Sequence, residues 1–239
     1  MDRIREIDIK LMQVSIEDIR HIELFDQLST PTLTALAAIA RPIVFDRQHL
    51  FYRQDETPLG VYCLQSGQVK LYQQAGSKIQ VLVIIQAGGA FGAEVLMPNP
   101  MAACNARATV KGLAFYLPAD NLSYLLRDNA ELSLAFLDLL SGHFLTMSNL
   151  IHDLVFHDVS ARLALFLLRQ DRYPALEGHC ISCNFSQQEL AAVVGTGREV
   201  VCRTLKRFET EGILRVVLRK IVILDIDRLA ALANHQDSN

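Results

Sequence analysis

No apolar run in this 239-residue chain approaches the roughly 18 residues of a membrane-spanning helix, so no such helix and no membrane partner are expected. The first residues, Met1-Asp2-Arg3-Ile4-Arg5-Glu6, place charges where a secretory signal needs its apolar stretch, which points to the cytoplasm. The chain lacks a phosphate-cradling glycine loop, a G-x-S-x-G elbow and an H-E-x-x-H zinc signature. Its scattered carboxylates make no case for catalysis, so an enzyme is not expected. Cysteine is absent before Cys63. The five present, Cys63, Cys104, Cys180, Cys183 and Cys202, cannot all pair within one chain, and in a cytosolic protein they read as free thiols. Cys180 and Cys183 have C-x-x-C spacing beside His179, but a structural zinc site wants four ligands and no second pair exists. No firm metal site is predicted.

What is present is globular: 51% hydrophobic and 21% charged residues exclude a mainly disordered chain and supply a substantial core. The net charge of -3 hides an asymmetry. Residues 1–158 hold 12 basic and 17 acidic groups, whereas 159–239 hold 11 and 9. Within 198–220, seven Lys/Arg stand against three Glu. A mildly acidic body with a locally basic tail can bind nucleic acid through that tail alone.

Along the chain, residues 15–40 read as short helices, with a start at Ser29-Thr30-Pro31. From 43 to 117 the pattern becomes short segments rich in Val, Ile, Tyr and Phe, punctuated by glycines at 60, 67, 76, 88, 89 and 92. Such strands predict a sandwich or barrel. Helical periodicity then runs over 121–170. Leu137, Leu140, Phe144, Met147, Ile151 and Leu154 recur at alternating steps of three and four, an a/d seam of nearly three heptads. A helix packed only on its own β-domain would satisfy the same spacing. The strict repeat favours pairing between two copies. A break at His157-Asp158 follows, with Asp158 the candidate N-cap of the next helix.

The C-terminal part is the most specific. Ser186-Gln187-Gln188-Glu189 reads as a capping box opening a helix, Gly195 as a turn, and Thr196-Gly197-Arg198-Glu199 as a second capping box. Two short helices joined by a tight glycine turn make a helix-turn-helix, and 213–217 with 221–224 read as a β-hairpin wing. On the second helix Val201, Leu205 and Phe208 share one face, with Glu199, Arg203, Lys206 and Arg207 opposite and Arg198 in the first turn. An arginine matches the O6/N7 pair of guanine, and a carboxylate accepts from cytosine N4. Lys206 and Arg207 suit phosphates. Ser186 and Thr196 complete the candidate DNA-binding set. A bare cap and a solvated flank would also explain Glu199 and Arg198 on an isolated helix.

The order of β-rich domain, seam helix and winged helix resembles the CRP/FNR family of bacterial transcription regulators. The likeness extends over nearly the whole chain from about residue 20 and is strongest from Gly195 to Glu209. It implies an α+β fold: an N-terminal double-stranded β-helix (jelly-roll) sensor domain with helices over 1–125, a dimerisation helix over 126–157, and a winged helix-turn-helix over 158–239. It further implies a homodimer on an inverted repeat, with Arg198, Glu199 and Arg203 reading a TGTGA- or TGTCA-like half-site. RNA polymerase is the implied partner of an activator. Leu64-Gln65-Ser66-Gly67-Gln68-Val69-Lys70-Leu71 is similar to the family's β-roll signature, and Gly88-Gly89-Ala90-Phe91-Gly92 looks like the opening of its effector pocket.

For that pocket the resemblance nominates Gly92, Glu94, Ala102, Ala103, Cys104 and Met147. The family's cyclic-nucleotide sensors carry an arginine followed by Ser or Thr, where Ala102 and Ala103 stand here. A cyclic phosphate would lose a charge-assisted hydrogen bond worth about 1.5–3 kcal/mol, which argues against cyclic AMP or GMP. The iron–sulfur branch needs an N-terminal cysteine cluster that is missing. Haem sensing nitric oxide or carbon monoxide is one reading, with His143 and Cys104 as ligand candidates beside Met101 and Met147. A small organic effector and cysteine redox control, for instance at Cys202, are the others. A sensor module without DNA function is the alternative of a different class.

Overall fold

The computed structural model describes residues 13–170, 180–181, 186–217 and 220–234. It begins with short helices that local signals start. Ser15 Oγ accepts from Asp18 N–H at 3.1 Å while the Asp18 carboxylate accepts from Ser15 N–H at 3.0 Å, a reciprocal cap that opens α1 (Ile16–Arg20). A 3-10 turn, Glu23–Phe25, leads to α2 (Thr30–Ile39), where Pro31 sits in a first turn that needs no N–H. Ile19, Ile22, Phe25, Leu33 and Leu36 are buried from these elements.

Six strands follow: β1 (Arg41–Phe45), β2 (Leu50–Tyr52), β3 (Gly60–Ala75), β4 (Lys78–Gln86), β5 (Ala90–Phe91) and β6 (Asn105–Pro118). The sheet order is β1-β6-β3-β4, with β2 on β6 and β5 on β3. β6 is antiparallel to β1, β2 and β3. Its inward positions Ala106, Ala108 and Ala114 are small, and they share one core with Phe45, Tyr52, Tyr62, Leu64 and Phe91. Small residues on one strand leave volume for the aromatic rings of the others. Where β3 and β6 come closest, only glycine fits: a Cβ on Gly112 would stand 2.1 Å from the Ser66 carbonyl oxygen.

Helix α3 (Ala119–Asp128) is followed by α4 (Ala130–Phe156). The long helix therefore starts at 130, not at the expected 126. Asn129 takes extended backbone at φ -131, and its side-chain oxygen accepts from Leu132 N–H at 3.0 Å. Glu131 then fastens this start to α2 through the hydroxyls of Ser29 and Thr32. Hydrogen bonding from those hydroxyls lowers the Glu131 pKa.

Another expectation needs correcting. By length and composition α4 is long and apolar enough to cross a membrane, although little of it is buried. Asp138, His143 and Asn149 interrupt the apolar run without making the helix polar overall. Leu137, Leu140, Phe144, Ile151 and Leu154 of the seam are all exposed, Phe144 by 72%, and Met147 is half-buried. Leu134, Leu145, Val155 and Phe156 widen the uncovered face.

The chain divides into two compact units between Thr146 and Met147, the second also taking Gln74–Val81. In the second unit α5 (Val159–Gln170) is capped as expected, Asp158 Oδ1 accepting from Ala161 N–H at 2.7 Å. There follow β7 (Cys180–Ile181), α6 (Gln187–Val194), α7 (Arg198–Thr210), β8 (Leu214–Val217), β9 (Lys220–Ile223) and α8 (Ile226–Ala233). The strand order β7-β9-β8 makes the wing a hairpin with one strand added. Leu163, Leu167, Leu190, Val201, Leu205, Phe208, Ile213 and Leu229 join in one core. Cys180 pairs with Val222, while His179 and Cys183 lie outside the described residues.

Candidate nucleic-acid interface and effector site

The turn between α6 and α7 is closed by backbone chemistry. Ser186 Oγ accepts from Glu189 N–H at 3.2 Å, and Ser186 N–H donates to the Glu189 carboxylate at 2.7 Å, so the first capping box is real. Gly195 is left-handed at φ 76, and the N–H groups of Gly195 and Thr196 both donate to Ala191 O at 3.0 Å. The second capping box does not form. Gly197 is the N-cap of α7 and no side chain caps it, because Thr196 is still engaged in closing the preceding helix.

That start sets the faces of α7. Val201, Thr204, Leu205 and Phe208 are buried, whereas Arg198, Glu199, Arg203 and Lys206 are exposed. Glu199 and Arg203, one turn apart, form no ion pair among the described residues. Cys202 is half-buried, its thiol 2.9 Å from Gln187 Oε1. Arg207 departs from expectation. Its guanidinium donates to Ser160 Oγ at 2.6 Å, lies 3.8 Å from the Glu211 carboxylate and stacks over Phe208. It braces α7 on α5 instead of standing free for a phosphate. The wing adds exposed Arg215 and Lys220, two cations that the sequence reading counted without giving them a role.

Sequence reasoning also missed Arg162. Its Nε donates to Val194 O at 2.9 Å and its Nη1 to His157 O at 2.9 Å and Leu154 O at 3.3 Å. One guanidinium thus satisfies carbonyls at the ends of both α4 and α6. Burial lowers its pKa. Nothing local in the sequence marks this role, since the carbonyls it reaches depend on the fold.

In the first unit the structure sorts the effector candidates. Gly92, at φ 88, is buried, and a Cβ there would meet Gly60 O at 2.8 Å. Ala102 and Cys104 are buried in the β-roll core, while Ala103 between them is exposed, as is Met101. Strand-like alternation thus turns Ala103 and Met101 outward, against the expectation for both. Met147 falls in the other unit. Arg107, between inward Ala106 and Ala108, belongs to the opposite face of β6 and lies by the Tyr72 ring, its Nε buried without a hydrogen-bond partner.

Around Glu94 a titratable cluster gathers. Burial and then the Glu94 charge push the Cys104 thiol up to about 12, so without a bound metal it stays protonated. Burial lowers the His143 pKa, with Glu94 opposing, a shift that favours the neutral imidazole. Tyr52 is 5% exposed and its hydroxyl has no hydrogen-bond partner among the described residues. Burial first, then Glu94, raises its pKa above the phenol range. The sequence reading had missed Tyr52. Its ring lies tilted against Tyr62 and Phe91, centroids 6.4 and 6.1 Å away, and Phe51 meets those two rings edge-on.

Both halves have counterparts among known proteins. Residues 161–232 match the Crp-like helix-turn-helix domain and 42–129 the cyclic nucleotide-binding domain. The chain belongs to the CRP/FNR family. It is similar to the CRP-like cAMP-activated global transcriptional regulator of Mycobacterium tuberculosis, 27% identical over 214 residues, covering 88% of this chain and 96% of that one. The global nitrogen regulator of Synechocystis is 28% identical over 191 residues, covering 76% and 84%. A crp/fnr-family structure from Eubacterium rectale superposes with a TM-score of 0.74 at 20% identity, covering 89% and 98%, a likeness of fold. This CRP/FNR protein is a DNA-binding transcription regulator, and its relatives are regulators and not enzymes.

Proposed function

We propose that two copies of this regulator pair along the α4 seam and bind a palindromic TGTGA- or TGTCA-like site in the cytoplasm, with Arg198, Glu199 and Arg203 reading bases. The observation that carries this reading is the row of exposed Arg198, Glu199, Arg203 and Lys206, without ion pairs among the described residues, directly behind the buried Val201–Leu205–Phe208 face. Ser186 and Thr196 flank that row, Lys206 supplies a phosphate contact, and Arg207 serves as a brace. A regulator that activates from such a site contacts RNA polymerase. The test is a titration with duplex DNA at several salt concentrations. Steep salt dependence with preference for the palindrome is expected, and flat, weak binding would sink the reading. Arg198→Ala is expected to cost about 1–3 kcal/mol and relax one base position, read by competition among site variants. Unchanged affinity and base preference would remove Arg198 from the reading set.

The β-roll is the control point, and the chemistry around Tyr52 favours a small organic effector with a hydrogen-bonding group. A buried hydroxyl without a partner costs about 1–3 kcal/mol, and a ligand that satisfies it recovers that cost. The Mycobacterium tuberculosis relative is cAMP-activated, but Ala102 and Ala103 offer no charge to a cyclic phosphate and Arg107 lies on the outer face of β6. Tyr52→Phe is expected to stabilise the effector-free protein by about 1–3 kcal/mol in thermal unfolding, because it deletes the orphan group without changing the ring. A destabilised variant would show that the hydroxyl already has a partner in solution. The second reading is haem, with His143 and Cys104 as its ligand candidates. A stoichiometric Soret band on adding haem, shifting with nitric oxide or carbon monoxide and lost in His143→Ala, would establish it.

A further inference from the structure

The C-terminal end of α4 carries a cluster that neither DNA reading nor effector sensing uses. His152, Asp153 and His157 bring one donor atom each to within 4.8 Å of one another. Asp153 and His157, four apart, share a helix face. His157 Nδ1 lies 3.4 Å from Asp153 Oδ1, and His152 Nδ1 lies 3.9 Å from the same oxygen. A tetrahedral divalent ion with bonds of about 2.0–2.1 Å holds its ligand atoms about 3.3–3.4 Å apart. The His157–Asp153 edge already has that length. The half-exposed His152 stands farther off, 3.9 Å from Asp153 Oδ1, and its ring would have to turn inward to close the third corner.

A second observation points to a ligand. The His157 side chain is only 9% exposed, yet its buried Nδ1 has no hydrogen-bond partner among the described residues, although such groups are nearly always satisfied. The other carboxylate oxygen, Asp153 Oδ2, is held by Arg169 Nη1 at 3.0 Å, which fixes the carboxylate and leaves Oδ1 directed at the imidazoles. That is the usual outer support of a metal-binding carboxylate. Arg169 and Arg162 bring positive charge nearby, and Asp158 offsets part of it. Two imidazoles and one carboxylate match zinc or a similar borderline divalent ion, not calcium or magnesium, which prefer oxygen.

We propose that His152, Asp153 and His157 form a binding site for a divalent transition metal where α4 ends, the fourth coordination position remaining open to water. Occupancy would clasp His157 to Asp153 and so stiffen the chain that leads into α5.

The full-length protein titrated with Co2+ alone tests this. Weak d–d bands from a nitrogen–oxygen site, one ion per chain, without thiolate-to-metal charge transfer, are the expected result. His152→Ala removes a half-exposed side chain, so folding is preserved, and it is expected to weaken cobalt binding by at least about tenfold. Cys180→Ser with Cys183→Ser is expected to leave the bands in place. Zinc is expected to raise the melting temperature of the unaltered protein and not of His152→Ala. Absent d–d bands, a spectrum governed by thiolate charge transfer and abolished by the cysteine changes, or an unaffected His152→Ala variant would each overturn the proposal. In that case the cluster is a His157–Asp153 ion pair.

Discussion

Replacing Phe144 and Ile151 together by aspartate is expected to give a folded monomer whose affinity for a palindromic site falls by about 10²–10⁴-fold. Both side chains are largely exposed in the single chain, so neither helps hold one copy together. An uncovered apolar stripe of this size calls for a partner surface, and the three-four spacing of the seam predicts a second copy of the same helix. Charges at two seam positions face their own counterparts across a two-fold axis, where desolvation and repulsion both oppose pairing. The loss on DNA follows from linkage of two half-site readers: once one has bound, the dimer presents the second at a high effective concentration, and a monomer forfeits that gain. Light scattering and DNA titration check the two parts separately. A variant that stays dimeric would place the pairing surface elsewhere. A monomer with undiminished affinity would remove the half-site argument.

The long helix was legible in the sequence because its spacing is a local periodicity, and the turn between α6 and α7 for the same reason: Ser186, Glu189 and Gly195 act within a few residues of one another. The misreading at Thr196 shows the limit of such signals. Its spacing to Glu199 matches a capping box, but its backbone N–H is already used by Ala191, a competition between adjacent helices that the pattern does not encode. The start of α4 was placed four residues early because Asn129 caps it while Glu131 answers hydroxyls about a hundred positions away. Long-range register decides the effector region as well. Tyr52, Glu94, Cys104 and His143 come from a strand, a 3-10 turn, the approach to β6 and the long helix, and no spacing rule links them. The alternation that separates Arg107 from Ala106 became readable only once β6 was paired with β3. Arg207, a cation by composition, became a brace because Ser160 and Glu211 stand beside it.

Phe208→Ala is expected to cost about 3–5 kcal/mol, and to abolish DNA binding at temperatures where the β-roll remains folded. Phe208 is fully buried in the core that also holds Leu167, Leu190, Val201, Leu205 and Ile213, so removing the ring leaves a cavity that several helices border. Its backbone carbonyl accepts from Ile213 N–H at 2.9 Å, which lets the cavity disturb the approach to the wing as well as α7. The Arg207 guanidinium, stacked on the ring, loses part of its support. Domains are stable by only about 5–15 kcal/mol, so this loss takes a large share, and for a unit of this size about 1 kcal/mol moves the melting point by roughly 4–8 °C. Calorimetry should therefore show one transition falling by at least about 12 °C and a second, from the β-roll, left in place. Arg198→Ala provides the contrast: an exposed side chain without ion pairs among the described residues changes stability by no more than about 0.5 kcal/mol while altering base preference. If Phe208→Ala shifted the lower transition by under about 5 °C, the recognition helix would draw its stability from somewhere other than this core. The separation between anchoring face and reading face would then fail with it.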